Sequence, residues 1–155
     1  MTVKPIYILL ADDDTDDCHF FKLALQEMPI VTNFTAVLDG EKVMQFLSNE
    51  NNQLPDVIFL DLNMPRKNGF ECLSEIKANP KLNHLPVIIF STSLEQEMVT
   101  LLYTNGAHYF IRKPSDFIQF KKIIQHLFLT HDVSKDLDRP NEEDFVITAN
   151  TLNLL

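Results

Sequence analysis

Short apolar runs punctuate the chain at Ile6 to Ala11, Asn33 to Leu38, Val57 to Leu60, Val87 to Phe90 and His108 to Ile111. Each is rich in β-branched or aromatic side chains and has the length of a buried strand. Between these runs the apolar positions change period. Phe21, Leu25 and Met28 recur at helical spacing, as do Val43, Phe46 and Leu47, and then Phe70, Leu73 and Ile76. The segment around Glu95 to Tyr103 predicts a fourth helix on a weaker pattern. Phe117, Phe120, Ile124, Leu127 and Phe128 predict a strongly amphipathic fifth, with Ser115 or Asp116 available to cap it. Strands that are apolar throughout, alternating with helices, specify an α/β fold in which a parallel sheet is covered by helices on both faces.

The pattern dissolves after Thr130. The stretch HDVSKDLDRPNEED is polar, acidic and broken by a proline, whereas the following FVITANTLNLL regains apolar residues. The expected organisation is therefore a folded domain over 1–130, then an acidic linker and apolar C-terminal tail over 131–155, with no second folded domain. The tail reads either as a disordered terminus or as a docking segment or short added strand.

Composition narrows the function. A net charge of -9 opposes broad contact with phosphate backbones or anionic membranes, so neither nucleic acid nor membrane is an expected partner. No run approaches the ~18 to 20 apolar residues of a membrane span. Cys18 and Cys72 lack CxxC spacing and read as free thiols packed as small hydrophobes, and the first residues do not resemble a signal peptide. A reducing, cytoplasmic setting is the expectation.

In a parallel α/β sheet, ligands bind outside the carboxyl ends of the strands. The residues placed there are Asp12 and Asp13 after the first strand, Asp61 after the third, Ser91 and Thr92 after the fourth, and Lys113 with Pro114 after the fifth. Three carboxylates converging in a cleft repel one another unless a hard divalent cation binds between them, and Mg2+ is the natural candidate. Lys113 would offset charge on an incoming phosphoryl group, and the Ser91 hydroxyl would donate to another of its oxygens. Together these parts describe an aspartate nucleophile, Asp61, that forms an acyl phosphate.

The segments ILLADDDTDD, DVIFLDLNMPRKNGFE, PVIIFSTS and GAHYFIRKP, in that order, resemble the receiver domain of bacterial two-component response regulators over about residues 5–130. The resemblance implies a flavodoxin-like, doubly wound five-stranded sheet of order 2-1-3-4-5. It implies Asp61 as phosphoacceptor, with Mg2+ held by Asp12, Asp13, Asp61 and the main-chain carbonyl of Asn63. Ser91 and Lys113 take the hydroxyl and lysine roles, Phe110 the switch aromatic, and Pro114 is expected to follow a cis peptide bond. Two departures accompany it: Ser91 stands where threonine is commoner and Thr92 where a smaller residue is frequent. Phe110, in place of the usual tyrosine, keeps the ring without its hydroxyl.

The DLNMPRKNG loop is similar in particular to single-domain regulators that include partners of phytochrome-type kinases. The implied partners are a histidine kinase or histidine phosphotransfer protein and a downstream protein target. The expected read-out face is the fourth helix, fifth strand and fifth helix, which also offers a route to a homodimer. On this reading the chain is a phosphoacceptor rather than an enzyme. A degenerate receiver acting without phosphorylation remains open. An EF-hand fails because Asp17 stands where Gly is needed and Leu23 where Glu is needed. An aspartyl phosphatase would carry its nucleophile on the first strand, and Asp12 to Asp14 would repel the phosphate of a flavin.

Overall fold

A computed structural model describes residues 4–130 and 138–152. In chain order the elements are β1 (Ile6–Ala11), α1 (Thr15–Gln26), β2 (Thr32–Val37), α2 (Gly40–Ser48), β3 (Val57–Leu60) and α3 (Gly69–Ala78). There follow β4 (Val87–Ser91), α4 (Gln96–Thr104), β5 (Tyr109–Arg112), α5 (Phe117–Thr130), a 3-10 turn (Glu142–Asp144) and β6 (Val146–Ile147). The strands form one parallel sheet in the order β2-β1-β3-β4-β5-β6.

Alternation along the strands sorts the core onto two faces. Ile8 and Leu10, Val57 and Phe59, and Ile88 and Phe90 pack with Phe21, Leu25, Phe120 and Ile124 of α1 and α5. Leu9 and Ala11, Ile58 and Leu60, and Val87 and Ile89 pack with Val43, Leu73, Ile76 and Leu102 of α2, α3 and α4. Because both faces are covered, β3 and β4 carry no polar position before Ser91 and are buried throughout.

The sheet has six strands where the sequence pattern predicts five. The sixth comes from the tail: Val146 and Ile147 align with Phe110 and Ile111 of β5, and Phe110 N–H donates to Phe145 O at 3.0 Å. Pairing of this kind covers backbone groups that β5 would otherwise present as an open edge. The Phe145 ring is fully buried and meets Tyr103 edge-on, with centroids 5.2 Å apart. The chain is anchored just before it: Tyr103 Oη donates to Pro140 O at 3.0 Å, and the Arg139 guanidinium lies over the Tyr103 ring at 4.3 Å. The first half of the predicted linker, 131–137, lies outside the described residues.

A second correction concerns Lys113–Pro114, which is trans; no described residue has a cis peptide bond. Trans is the lower-energy isomer even before proline.

Candidate functional site

Three backbone hydrogen bonds carry the ladder one residue past the strands. Asp12 N–H donates to Val37 O (3.0 Å), Asp61 N–H to Ala11 O (2.9 Å) and Lys113 N–H to Ser91 O (2.8 Å). The sheet itself therefore places Asp12, Asp61 and Lys113 at one edge. Loop chemistry then orients the carboxylates. Asp12 Oδ1 accepts from Asp14 N–H at 3.0 Å and Asp61 Oδ1 from Asn63 N–H at 3.3 Å, leaving each second oxygen to face inward.

The inward oxygens converge on Lys113. Its Nζ lies 2.6 Å from Asp12 Oδ2, 3.2 Å from Asp61 Oδ2 and 2.9 Å from Asp17 Oδ2, and it also sits 5.2 Å from the centroid of the Phe90 ring. All three ammonium protons thus have a carboxylate partner. Asp12 and Ser91 are wholly buried, and Asp61 and Lys113 nearly so. Burial pushes the Asp12 carboxyl up to about 7 against the opposing pull of Lys113. Burial works the other way on the Lys113 ammonium, but Asp12 and Asp61 outweigh it and hold that group above its ordinary range.

Carboxylate oxygens of Asp12, Asp13 and Asp61 lie within 4.8 Å of one another, with Asp13 exposed at the mouth. A compact set of three carboxylates offering hard oxygen donors fits a hard divalent cation.

The loop from β3 to α3 is held tightly beneath the site. Gly69 N–H donates to Leu62 O at 3.1 Å, and a Cβ at Gly69 would lie 2.3 Å from Asp61 O. A Cβ at Gly40 would lie 2.0 Å from Lys67 O, so α2 and this loop also meet backbone to backbone. Asn68 and Glu71 form a capping box that starts α3 directly after the loop.

Ser91 is at the same edge, and its hydroxyl lies 3.2 Å from Ser93 Oγ while accepting from Ser93 N–H at 3.3 Å. Phe110 is fully buried. It lines a cavity of about 140 Å³ together with Asn63 and Ser93, between the β3–α3 loop and the start of α4.

Sequence reasoning missed Asp17. Asp16 and Asp17 read together as acids at a helix N-terminus, where they suit the macrodipole. The structure separates them: Asp16 is exposed, whereas Asp17 reaches Lys113. The available signal was its place three residues after the Asp14 cap, since that position turns back toward the loop that starts the helix.

Residues 8–125 match the family described as the response regulator receiver domain. Response regulator Rcp1 of Synechocystis sp. is 33% identical over 125 residues, which cover 78% of this chain and 85% of Rcp1. The two-component response regulator ORR8 of Oryza sativa subsp. japonica is 31% identical over 121 residues, covering 78% of this chain and 97% of ORR8. The crystal structure of the Mn2+-bound form of Rcp1 superposes with a TM-score of 0.76 at 32% identity, covering 81% of this chain and 95% of that one. The phosphorylated cyanobacterial phytochrome response regulator RcpA gives a TM-score of 0.76 at 30% identity, covering 80% and 91%. With its parallel sheet, its acidic strand-end cluster and these relatives, the chain belongs to the response regulator receiver domain family of two-component signalling.

Proposed function

We infer that Asp61 accepts a phosphoryl group from a histidine kinase or histidine phosphotransfer protein, and that the chain signals by a change in protein contacts. The observation that supports this reading best is the position of Asp61: nearly buried, next to Asp12 and Asp13, with Lys113 Nζ 3.2 Å from the oxygen that would be phosphorylated. Asp61 Oδ2 attacks the donor phosphorus, and the bond from phosphorus to the donor atom breaks as the new P–O bond forms. Lys113 is placed to follow the oxygens of the transferred group, and Ser91 to exchange Ser93 for one of them. Positioning and charge neutralisation of this kind are what phosphoryl transfer asks of a protein.

Asp12, Asp13, Asp61 and the Asn63 carbonyl would hold Mg2+, which when bound neutralises phosphoryl charge. Mn2+ in Rcp1 and phosphorylation of RcpA support the same assignment. The proposed output face is α4, β5 and α5, through Ser91 and Phe110, toward a protein target or a second copy. Residues 131–155 are proposed as a tail to this one domain. The test is transfer from an autophosphorylated histidine kinase. Phosphate should move to the native chain in Mg2+ and stay on the kinase in excess chelator. Equal transfer in chelator would refute the metal assignment.

A further inference from the structure

The geometry points to Asp17 as a positioning residue that takes up the Lys113 ammonium when a divalent cation engages Asp12 and Asp61. This rests on the metal reading of Asp12, Asp13 and Asp61 given above. Lys113 Nζ has three carboxylate partners, at 2.6 Å to Asp12, 2.9 Å to Asp17 and 3.2 Å to Asp61. Two of them belong to the cluster that would ligate the ion, and the third does not.

A cation and the lysine therefore compete for the same two carboxylates. An ion between Asp12, Asp13 and Asp61 draws their oxygens away from the ammonium and also repels it. The Lys113 side chain is only 5% exposed, so water does not readily replace the lost partners. Asp17 does. It sits in the first turn of α1, its N–H bonded to Asp14 Oδ1 at 3.3 Å, and its side chain is 21% exposed. It is thus fixed at the rim of the site, where it can keep the lysine paired while the two inner carboxylates turn to the ion. Removing Asp17 leaves the lysine dependent on Asp12 and Asp61, so the ion must displace it without compensation.

Asp16 supplies the control. It lies in the same helical turn, carries the same charge and is exposed, with no contact to Lys113. Charge near the site and the helix dipole are common to both residues; only Asp17 touches the lysine.

The experiment is Mn2+ titration, followed by the electron paramagnetic resonance of the free ion, on the native chain, Asp16→Asn, Asp17→Asn, Lys113→Met and Asp17→Asn/Lys113→Met. Asp17→Asn should weaken Mn2+ binding roughly tenfold, the scale at which residues that orient metal ligands act. Asp16→Asn should change it by no more than about twofold, a simple charge effect. In the Lys113→Met background, Asp17→Asn should cost no more than Asp16→Asn does in the native chain. Equal losses for Asp16→Asn and Asp17→Asn, or a full loss for Asp17→Asn without Lys113, would overturn the proposal. If Lys113→Met does not fold, the comparison of Asp16 with Asp17 decides by itself. A native chain that binds no Mn2+ overturns the metal reading and this inference with it, whereas native binding unaffected by Asp17→Asn overturns only the latter.

Discussion

Lys113 Nζ lies 2.6 Å from Asp12 Oδ2, across 101 residues of sequence, in a place where Asp12 is wholly buried and Lys113 nearly so. A buried ion pair of this kind is asymmetric: it adds little net stability, but deleting one partner leaves the other uncompensated. Lys113→Met should therefore lower unfolding free energy by about 3 to 5 kcal/mol in chelator, measured by urea denaturation. Added Mg2+ should raise the midpoint of the variant again, because an ion that binds only the folded state stabilises it. A variant as stable as the native chain in chelator would contradict this, showing that loss of Lys113 leaves no uncompensated charge at Asp12.

Asp61 depends on Gly69 in a different way. A methyl group at Gly69 would meet the Asp61 carbonyl at 2.3 Å, and that atom is backbone with little freedom to yield. Gly69→Ala should cost about 1 to 3 kcal/mol through overpacking. By shifting Asp61 it should also slow phosphorylation, by up to about a hundredfold for a displacement near 1 Å. Urea denaturation and the rate of labelling by acetyl phosphate separate the two effects. An unchanged rate would mean that the loop moves while Asp61 does not.

Phe145 ties the tail to β5. Its carbonyl accepts from Phe110 N–H at 3.0 Å, and its fully buried ring packs against Tyr103. Phe145→Ala should remove up to about 3 to 5 kcal/mol of packing, the cost usual for a buried phenylalanine, unless the tail lets go first. Hydrogen exchange at Phe110 N–H reports that release directly, and should accelerate in the variant far more than exchange at Ile8 or Phe59. A chain ending at Thr130 bares the edge of β5 and should self-associate more in sedimentation velocity. Unchanged exchange at Phe110 would show that β6 holds by its backbone bonds alone.

Cysteine chemistry gives a pH prediction. Burial raises the Cys18 thiol from 9.0 to about 11 and the Cys72 thiol to about 12. For Cys18 this is about a hundredfold less thiolate at pH 8 than an unperturbed thiol, so alkylation should slow by about that factor on folding. The folded chain holds more protons than the unfolded chain above pH 9, so the stability these thiols contribute is complete below that pH and is lost as pH rises through 11 to 12. Rapid alkylation of Cys18 in the folded chain would contradict the burial argument.

Much of this was legible in the sequence because buried parallel strands must be apolar along their whole length. Val57 to Leu60 and Val87 to Phe90 announce themselves, and the polar residues that end each run mark one sheet edge. Asp12, Asp61, Ser91 and Lys113 meet there as expected. What stayed hidden depends on partners distant in sequence. Val146 and Ile147 are too few to show a period, and their docking depends on Tyr103, Arg139 and the β5 edge. Asp17 looked like any acid in a first helical turn until Lys113, 96 residues away, was placed beside it. Likewise, nothing local to Phe110 reveals that Phe145 closes over its strand.

The most direct test of Asp61 as phosphoacceptor is intact-protein mass spectrometry after incubation with acetyl phosphate and Mg2+. The native chain should gain the mass of one phosphoryl group, stable in acid and lost in base. Asp61→Asn should gain none, since an amide has no anionic oxygen to attack phosphorus. Undiminished labelling of Asp61→Asn would contradict the assignment, and no labelling of the native chain by any donor would leave the fold working as an interaction module without phosphorylation.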